Sequence, residues 1–171
     1  SAQYVDVELS QAIDFGSAQT YLTGLSSNIS GLSANGSSIN YYGGLQFVGT
    51  DLALNTFSIG ANEFNAAHGI VIDAPQNSTV VINIGGQNVN FDNLGIRFRD
   101  QNNDGSGITD RTRVLYNFYE ATSLTIGGIS VQGSILAPNA DVNFSNGNVE
   151  GTLVSKTLTG SGEFHHYGLL G

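Results

Sequence analysis

The oxygen-bearing side chains best spaced for chemistry crowd into one segment. Asp100-x-Asn102-x-Asp104-Gly105-Ser106-Gly107-Ile108-x-Asp110 puts oxygen ligands at alternate positions and a glycine at the sixth. Such spacing lets a loop turn back and wrap its carboxylates around one Ca2+, as EF-hand-type loops do. The pattern departs from an EF-hand, because Gly107 pushes the isoleucine one place along and Arg111 stands where a bidentate Glu belongs. The candidate metal ligands are therefore Asp100, Asn102, Asp104, Ser106 (by carbonyl or hydroxyl) and Asp110 as the last ligand, with Ca2+ ordering the loop. The competing reading is a solvated loop whose aspartates pair with Arg99, Arg111 and Arg113.

Other reactive types are sparser. His165 and His166 are adjacent and would face opposite sides of a strand, so they cannot share a metal without a third residue, and they read as surface or end-cap groups. Asp73, Asp92, Glu120, Asp141 and Glu150 could form an acid/base pair ~5–9 Å apart, as in glycosidases. However, Lys156 is the only lysine, and the arginines cluster, which leaves no basic groove to hold an acidic polymer. No Gly-x-Ser-x-Gly element is present, so the expectation is a protein that is not an enzyme. Lys156, in Val154-Ser-Lys156-Thr, reads as an exposed side chain rather than a crosslinking one. Tyr41-Tyr42 and Tyr116, Phe118 and Tyr119 are aromatic clusters. Exposed, they would stack on sugar rings or anchor a protein, but in strands one of each pair should face the core. Tyr42, with Arg99, Arg111 and Arg113, is the candidate ligand-binding set.

Composition narrows the classes. Of 171 residues, five are Lys or Arg against fourteen Asp or Glu, a net charge of −9. That balance repels phosphate and excludes nucleic acid as a partner. No apolar run approaches the ~20 residues of a membrane span, so no membrane insertion is expected. There is no basic start followed by an apolar stretch, so any export signal is expected to have been removed already. Zero Cys excludes disulfides and thiol chemistry. Charged residues make up 11%, well under the ~25% of average domains, and Gly, Asn, Ser and Thr fill the gap. A polar, weakly charged surface of this kind suits a secreted or cell-surface protein.

The elements that must position these groups follow from periodicity. Phe15, Ala18, Leu22, Leu25, Ile29 and Leu32 mark one stripe of a helix, about 9–34 with its extension toward Leu9. Asp14 is its candidate N-cap, and Asn35-Gly36 its expected left-handed end. Gly16, Gly24 and Gly31 each cost about 1 kcal/mol of helix propensity, so the helix must lie against something apolar. Beyond Asn35 the chain reads as strands of three to six residues punctuated by Gly and Asn. Val131-Gln-Gly133-Ser-Ile135-Leu136-Ala137 matches Val149-Glu-Gly151-Thr-Leu153-Val154-Ser155 at an offset of 149 − 131 = 18. A fainter echo relates Ile84–Val89 to Ile126–Val131. Stacked coils ~4.8 Å apart explain such a repeat, because each buries an inner face it cannot bury alone. The expected fold is mainly β, a β-solenoid (β-helix) with one long α-helix packed along its side. It forms a single domain over 1–171, with coils about 39–167 and an inserted loop about 97–113.

Three stretches carry a family likeness: Val114-Leu-Tyr-Asn117-Phe118-Tyr119-Glu120-Ala-Thr-Ser-Leu124, Gly133-Ser-Ile-Leu-Ala137-Pro138-Asn139-Ala140 and Phe144-Ser-Asn146-Gly147-Asn148-Val149-Glu-Gly151. With the closing Thr159-Gly160-Ser161-Gly162-Glu163-Phe164-His165, they resemble the choice-of-anchor A domain of bacterial surface and secreted proteins. The layout is also similar to the β-solenoid class of microbial ice-binding proteins. The resemblance implies an extracellular adhesin, a cell-adhesion module of a larger bacterial surface protein with neighbouring domains, whose ligand is a host or matrix protein or a glycan. Ice binding is the alternative, although Thr125, Thr152, Thr157 and Thr159 are not expected to form the flat ranks it needs. A polysaccharide-active β-helix enzyme is a more distant one.

Overall fold

The computed structural model describes residues 14–99 and 110–171. Helix α1 (Phe15–Ser30) starts where Asp14 caps it, its carboxylate accepting from the Ser17 amide at 3.1 Å and the Ser17 hydroxyl at 2.7 Å. Those bonds hold the Asp14 carboxyl below its usual value. The expected extension toward Leu9 lies outside the described residues. The other end corrects the expectation. α1 stops at Ser30, with Gly31 still right-handed, and Leu32 is exposed. Asn35 is needed elsewhere: its side chain donates to Leu54 O (2.8 Å) and accepts from Thr56 N (2.7 Å), so the chain must leave the helix early to reach the sheet edge.

Leu22, Leu25 and Ile29 pack on Val81, Leu115 and Leu136. This contact carries the helix, with Phe15 at its start left 76% exposed. A buried polar staple fixes the register. The Ser26 hydroxyl donates to Asn117 Oδ1 (2.6 Å), and Asn117 Nδ2 donates to Ser26 O (2.9 Å) and Asn83 Oδ1 (2.8 Å). Asn83 Nδ2 in turn donates to Ile29 O (3.1 Å).

The strands are β1 (Ser37–Tyr41), β2 (Gly44–Val48), β3 (Leu54–Gly60), β4 (Gly69–Asp73), β5 (Thr79–Gly85), β6 (Asn88–Asp92), β7 (Gly95–Phe98), β8 (Val114–Asn117), β9 (Ser123–Gln132), β10 (Ser134–Glu150), β11 (Leu153–Gly160) and β12 (Glu163–His165). They form one sheet ordered β1-β2-β4-β7 and another ordered β3-β5-β8-β10-β9-β6, with β11 and β12 also on β10. Every pairing is parallel except the β1–β2 hairpin. β10 curls the larger sheet. Its first residues pair with β8, its later ones with β9, and its register against β11 shifts between Ala137 and Asp141. The molecule is thus mainly β, with one long helix beside a curled parallel sheet.

The 18-residue repeat is a ladder spacing: Val131 lies beside Val149, Ile135 beside Leu153 and Ala137 beside Ser155. The fainter echo is not. Ile126 pairs with Phe91, while Ile84 sits beside Ile59. Other spacings vary. Leu54 pairs with Thr79 (79 − 54 = 25) and Val80 with Val114 (114 − 80 = 34). Several expected short strands merge, because Gly128 and Asn146 both turn left-handed (φ 59° and 54°) at matching places, so the β9–β10 rungs resume directly beyond them. β9 runs 10 residues and β10 runs 17. The short helix α2 (Ala61–Asn65) was not foreseen, as five residues carry too little periodicity. It drives Phe64 into the core against Phe91 and Phe118. The insertion is also shorter than expected at both ends: Arg97 belongs to β7, and Arg111–Arg113 form a 3-10 turn. No helix among the described residues is long and apolar enough to cross a membrane.

Candidate functional site

Alternation along β6, β9 and the later part of β10 separates core from surface, while β11, at the open edge of the ladder, is exposed on both faces from Lys156 to Gly160. Val89, Phe91, Leu124, Ile126, Val142 and Phe144 point inward and are buried. The residues between them point out and line up across the ladder. One rank is Asn88, Ser123, Asp141, Thr157, and the next is Asn90, Thr125, Asn143, Thr159. With strands ~4.8 Å apart, each four-residue rank spans roughly 14 Å, and the two ranks lie ~7 Å apart. All eight side chains are small and polar, and seven are exposed, so the face is flat. Its one charged feature is local: Asp141 accepts from Thr157 Oγ1 at 2.8 Å and lies 3.5 Å from Lys156 Nζ, both ends of that pair being open to water. Lys156 is exposed, as its sequence context implied.

This arrangement offers a planar lattice of hydroxyl and amide donors and acceptors, suited to meeting a hydrated surface or polymer. Thr125 and Thr159 share a rank but sit two strands apart with Asn143 between them, and Thr157 lies one rank over beside Asp141, so the threonines form no strand-by-strand row, as the sequence implied. Thr152 lies apart, its amide bonded to Ser134 Oγ at 3.2 Å. The sequence held the signal for these ranks, in alternating polar positions repeating at the 18-residue offset. It weakened at β11, where Asp141 meets Thr157 only 16 residues on.

The metal candidates Asp100, Asn102, Asp104 and Ser106 lie outside the described residues. Asp110 caps the 3-10 turn, its Oδ1 accepting from the Thr112 amide (2.7 Å) and hydroxyl (2.5 Å). Among the described residues no three His, Cys, Asp or Glu side chains come together to hold a metal ion.

The three candidate arginines have separate tasks. Arg99 Nε lies 3.8 Å from Asp73 Oδ2. Arg111 Nη1 binds Glu150 Oε2 at 2.8 Å and stacks 5.1 Å over the Tyr167 ring, and Arg113 Nη1 donates to Leu170 O at 3.4 Å. Arg111 and Arg113 therefore clasp the C-terminal segment. Glu150 is nearly buried and also takes His165 Nδ1 at 2.6 Å. Burial pushes its carboxyl up, but the bonds and charges of His165 and Arg111 outweigh this and hold it below its usual value. The same contact with Glu150 raises the His165 imidazole. His165 is thus an end-cap residue with a defined partner.

Tyr42 is where a ligand could reach it, 90% exposed. The expected division of the Tyr41-Tyr42 pair into one packed and one exposed ring does not hold, since Tyr42 is in a turn and Tyr41 is exposed too. In the other cluster Tyr116 and Phe118 are both in the core. The two-residue hairpin loop Tyr42-Gly43 has φ of 50° and 81°, a turn that favours Asn-Gly. A tyrosine there costs about 1–2 kcal/mol relative to ordinary backbone.

A family profile described as "Putative Ice-binding-like adhesive domain" matches residues 2–166. No curated protein and no solved structure matches the chain. The adhesive character expected from the C-terminal motifs is thus supported, under a different family heading from choice-of-anchor A. With nearly its whole length matched, the chain belongs to the ice-binding-like adhesive domain family.

Proposed function

We propose that the chain is a non-enzymatic, extracellular adhesion module of a larger bacterial surface protein, wound as a β-solenoid. It would bind a host or matrix protein or a glycan. The observation that carries this reading is the flat polar face of β6, β9, β10 and β11, in a chain whose family is adhesive. The winding is supported by strand order. β4, β5 and β6 are followed by β7, β8 and β9, each parallel to its predecessor, and the two parts of β10 repeat the order of β8 and β9. Kinship with choice-of-anchor A domains is supported by its motif residues falling on β8, β10, the end of β11 and β12. Ca2+ between Asp100 and Asp110 belongs to the same proposal, on the spacing of those residues.

The experiment is a glycan and matrix-protein array probed with the wild-type chain and with Asn143→Lys, which plants a long charged side chain in the middle of the face. Retention of the wild type, its loss in Asn143→Lys and no released product support adhesion through this face. Thermal hysteresis with no retention on the array favours ice binding, to which the Thr125–Asn143–Thr159 rank lends a specific basis. Product release from a polysaccharide overturns the non-enzymatic reading.

A further inference from the structure

The smaller sheet carries a second feature, away from the polar face. In β4 and β7, Gly69 pairs with Gly95, and Gly44 continues that rank in β2, one residue before the Leu45–Ile70 pair. Three side chains are therefore missing in a row, leaving a strip of bare backbone. Packing does not require this. A Cβ on Gly95 would meet nothing within 4 Å, one on Gly69 would touch only the Gly95 carbonyl oxygen at 3.4 Å, and one on Gly44 only the carbonyl oxygens of Tyr41 and Gly69 at 3.4 and 3.6 Å. The effect of the glycines is an open groove of about 240 Å3. That is below the roughly 300–1,000 Å3 of sites for drug-sized ligands, and it suits one ring-sized unit.

The walls are chemically distinct. At one end the Tyr41 and Tyr42 rings meet edge to face, centroids 4.6 Å apart and planes at 82°, which holds the exposed Tyr42 ring in place. It does so on a left-handed backbone that gains nothing from a tyrosine. Along one side runs the rank of Gln46, Val71 and Arg97, which spreads a guanidinium two strands, about 10 Å, from Gln46. The chain has fourteen carboxylates, yet among the described residues the lining holds none, while it holds Arg97 and His68. Among the described residues Arg97 forms no ion pair.

We propose that this groove binds a sugar ring bearing a carboxylate, of the uronate or sialate class. Tyr42 provides the apolar platform under the ring, and the bare backbone of the glycine rank gives the room. Gln46 supplies hydrogen bonds to hydroxyls. Arg97 receives the carboxylate, for which a planar guanidinium offers a two-pronged match. The assignment deepens the adhesive reading by naming a ligand class, but it uses a different surface from the β6–β9–β10–β11 face.

The test is direct binding, by NMR titration or calorimetry, of oligogalacturonate and sialyllactose, with neutral lactose as the control. The variants are Tyr42→Asn, Arg97→Gln and Asn143→Lys. Asn suits the left-handed turn, so Tyr42→Asn keeps the fold and raises the melting temperature. The expected result is at least a tenfold preference of the wild type for one acidic probe over lactose. Tyr42→Asn should lose binding tenfold or more, and Arg97→Gln should lose the acidic preference while Asn143→Lys keeps it. Equal affinity for acidic and neutral probes, no binding of either acidic probe, or wild-type affinity in Tyr42→Asn would each overturn the assignment. Loss in Asn143→Lys alone would move the ligand to the flat face and count against the groove.

Discussion

Asn117→Ala is the sharpest test of how the helix is held on the sheet. Asn117 is fully buried, and its amide joins Ser26 Oγ and Ser26 O of α1 to Asn83 of the neighbouring strand. Truncation strands two groups, the Ser26 hydroxyl and Asn83 Oδ1, while the Ser26 carbonyl keeps its helical bond from the Ser30 amide. Both residues that carry them are almost wholly inaccessible to water. At about 1 kcal/mol for each stranded group, the lower end of the usual penalty, the loss is about 2 kcal/mol. For a chain of this size that is a fall of about 4–8 °C in Tm. Urea and thermal unfolding measure it, with exposed Asn143→Ala as the control, expected within about 0.5 kcal/mol of wild type. A double-mutant cycle with Ser26→Ala should show coupling of at least about 0.5 kcal/mol. If Asn117→Ala costs under 1 kcal/mol, or no more than the control, the staple is not what docks the helix.

Three further outcomes are expected. Because Glu150 raises the His165 imidazole, their contact should stabilise fully below the unfolded imidazole value and fade as pH rises through the raised folded one. The lowered Glu150 carboxyl gives the opposite limb, a contribution present above the ordinary carboxylate value and lost as pH falls through the folded one. A Tm difference between wild type and His165→Gln that stays flat from about pH 5 to about pH 9 would contradict the pairing. Gly151→Ala should destabilise by about 1–3 kcal/mol in urea, since its Cβ would lie 2.3 Å from Gly133 O in the adjoining turn of chain. Melting with Ca2+ should occur higher than with EGTA if the 100–110 segment binds the ion, and an unchanged midpoint argues against it.

The sequence was most readable where the ladder repeats most evenly. Val131 and Val149 share both residue type and offset, so their stacking could be deduced before any strand was placed. Asp14 was legible because capping is local chemistry, whereas the early end of α1 was not, because Asn35 answers to Leu54 and Thr56, far along the chain. The polar face was only partly visible. Its ranks depend on a register that runs 18 residues from β9 to β10 but 16 from Asp141 to Thr157. The partners of the arginines were not legible, because closeness in sequence says nothing of groups such as Glu150 and Leu170, which the fold brings from the far end.

The ladder from β5 to β8 keeps its pairing although the intervening chain is nine residues longer (34 − 25 = 9) than that between the equivalent rungs of β3 and β5. Rung and corner are therefore separate compartments of the sequence. A foreign peptide spliced between Arg99 and Asp110 should leave the stacked interior undisturbed while Arg99–Asp73 and Arg111–Glu150 pin its two ends. The scaffold is in that sense a cassette, in which recognition could be rewritten at a corner without renegotiating the core.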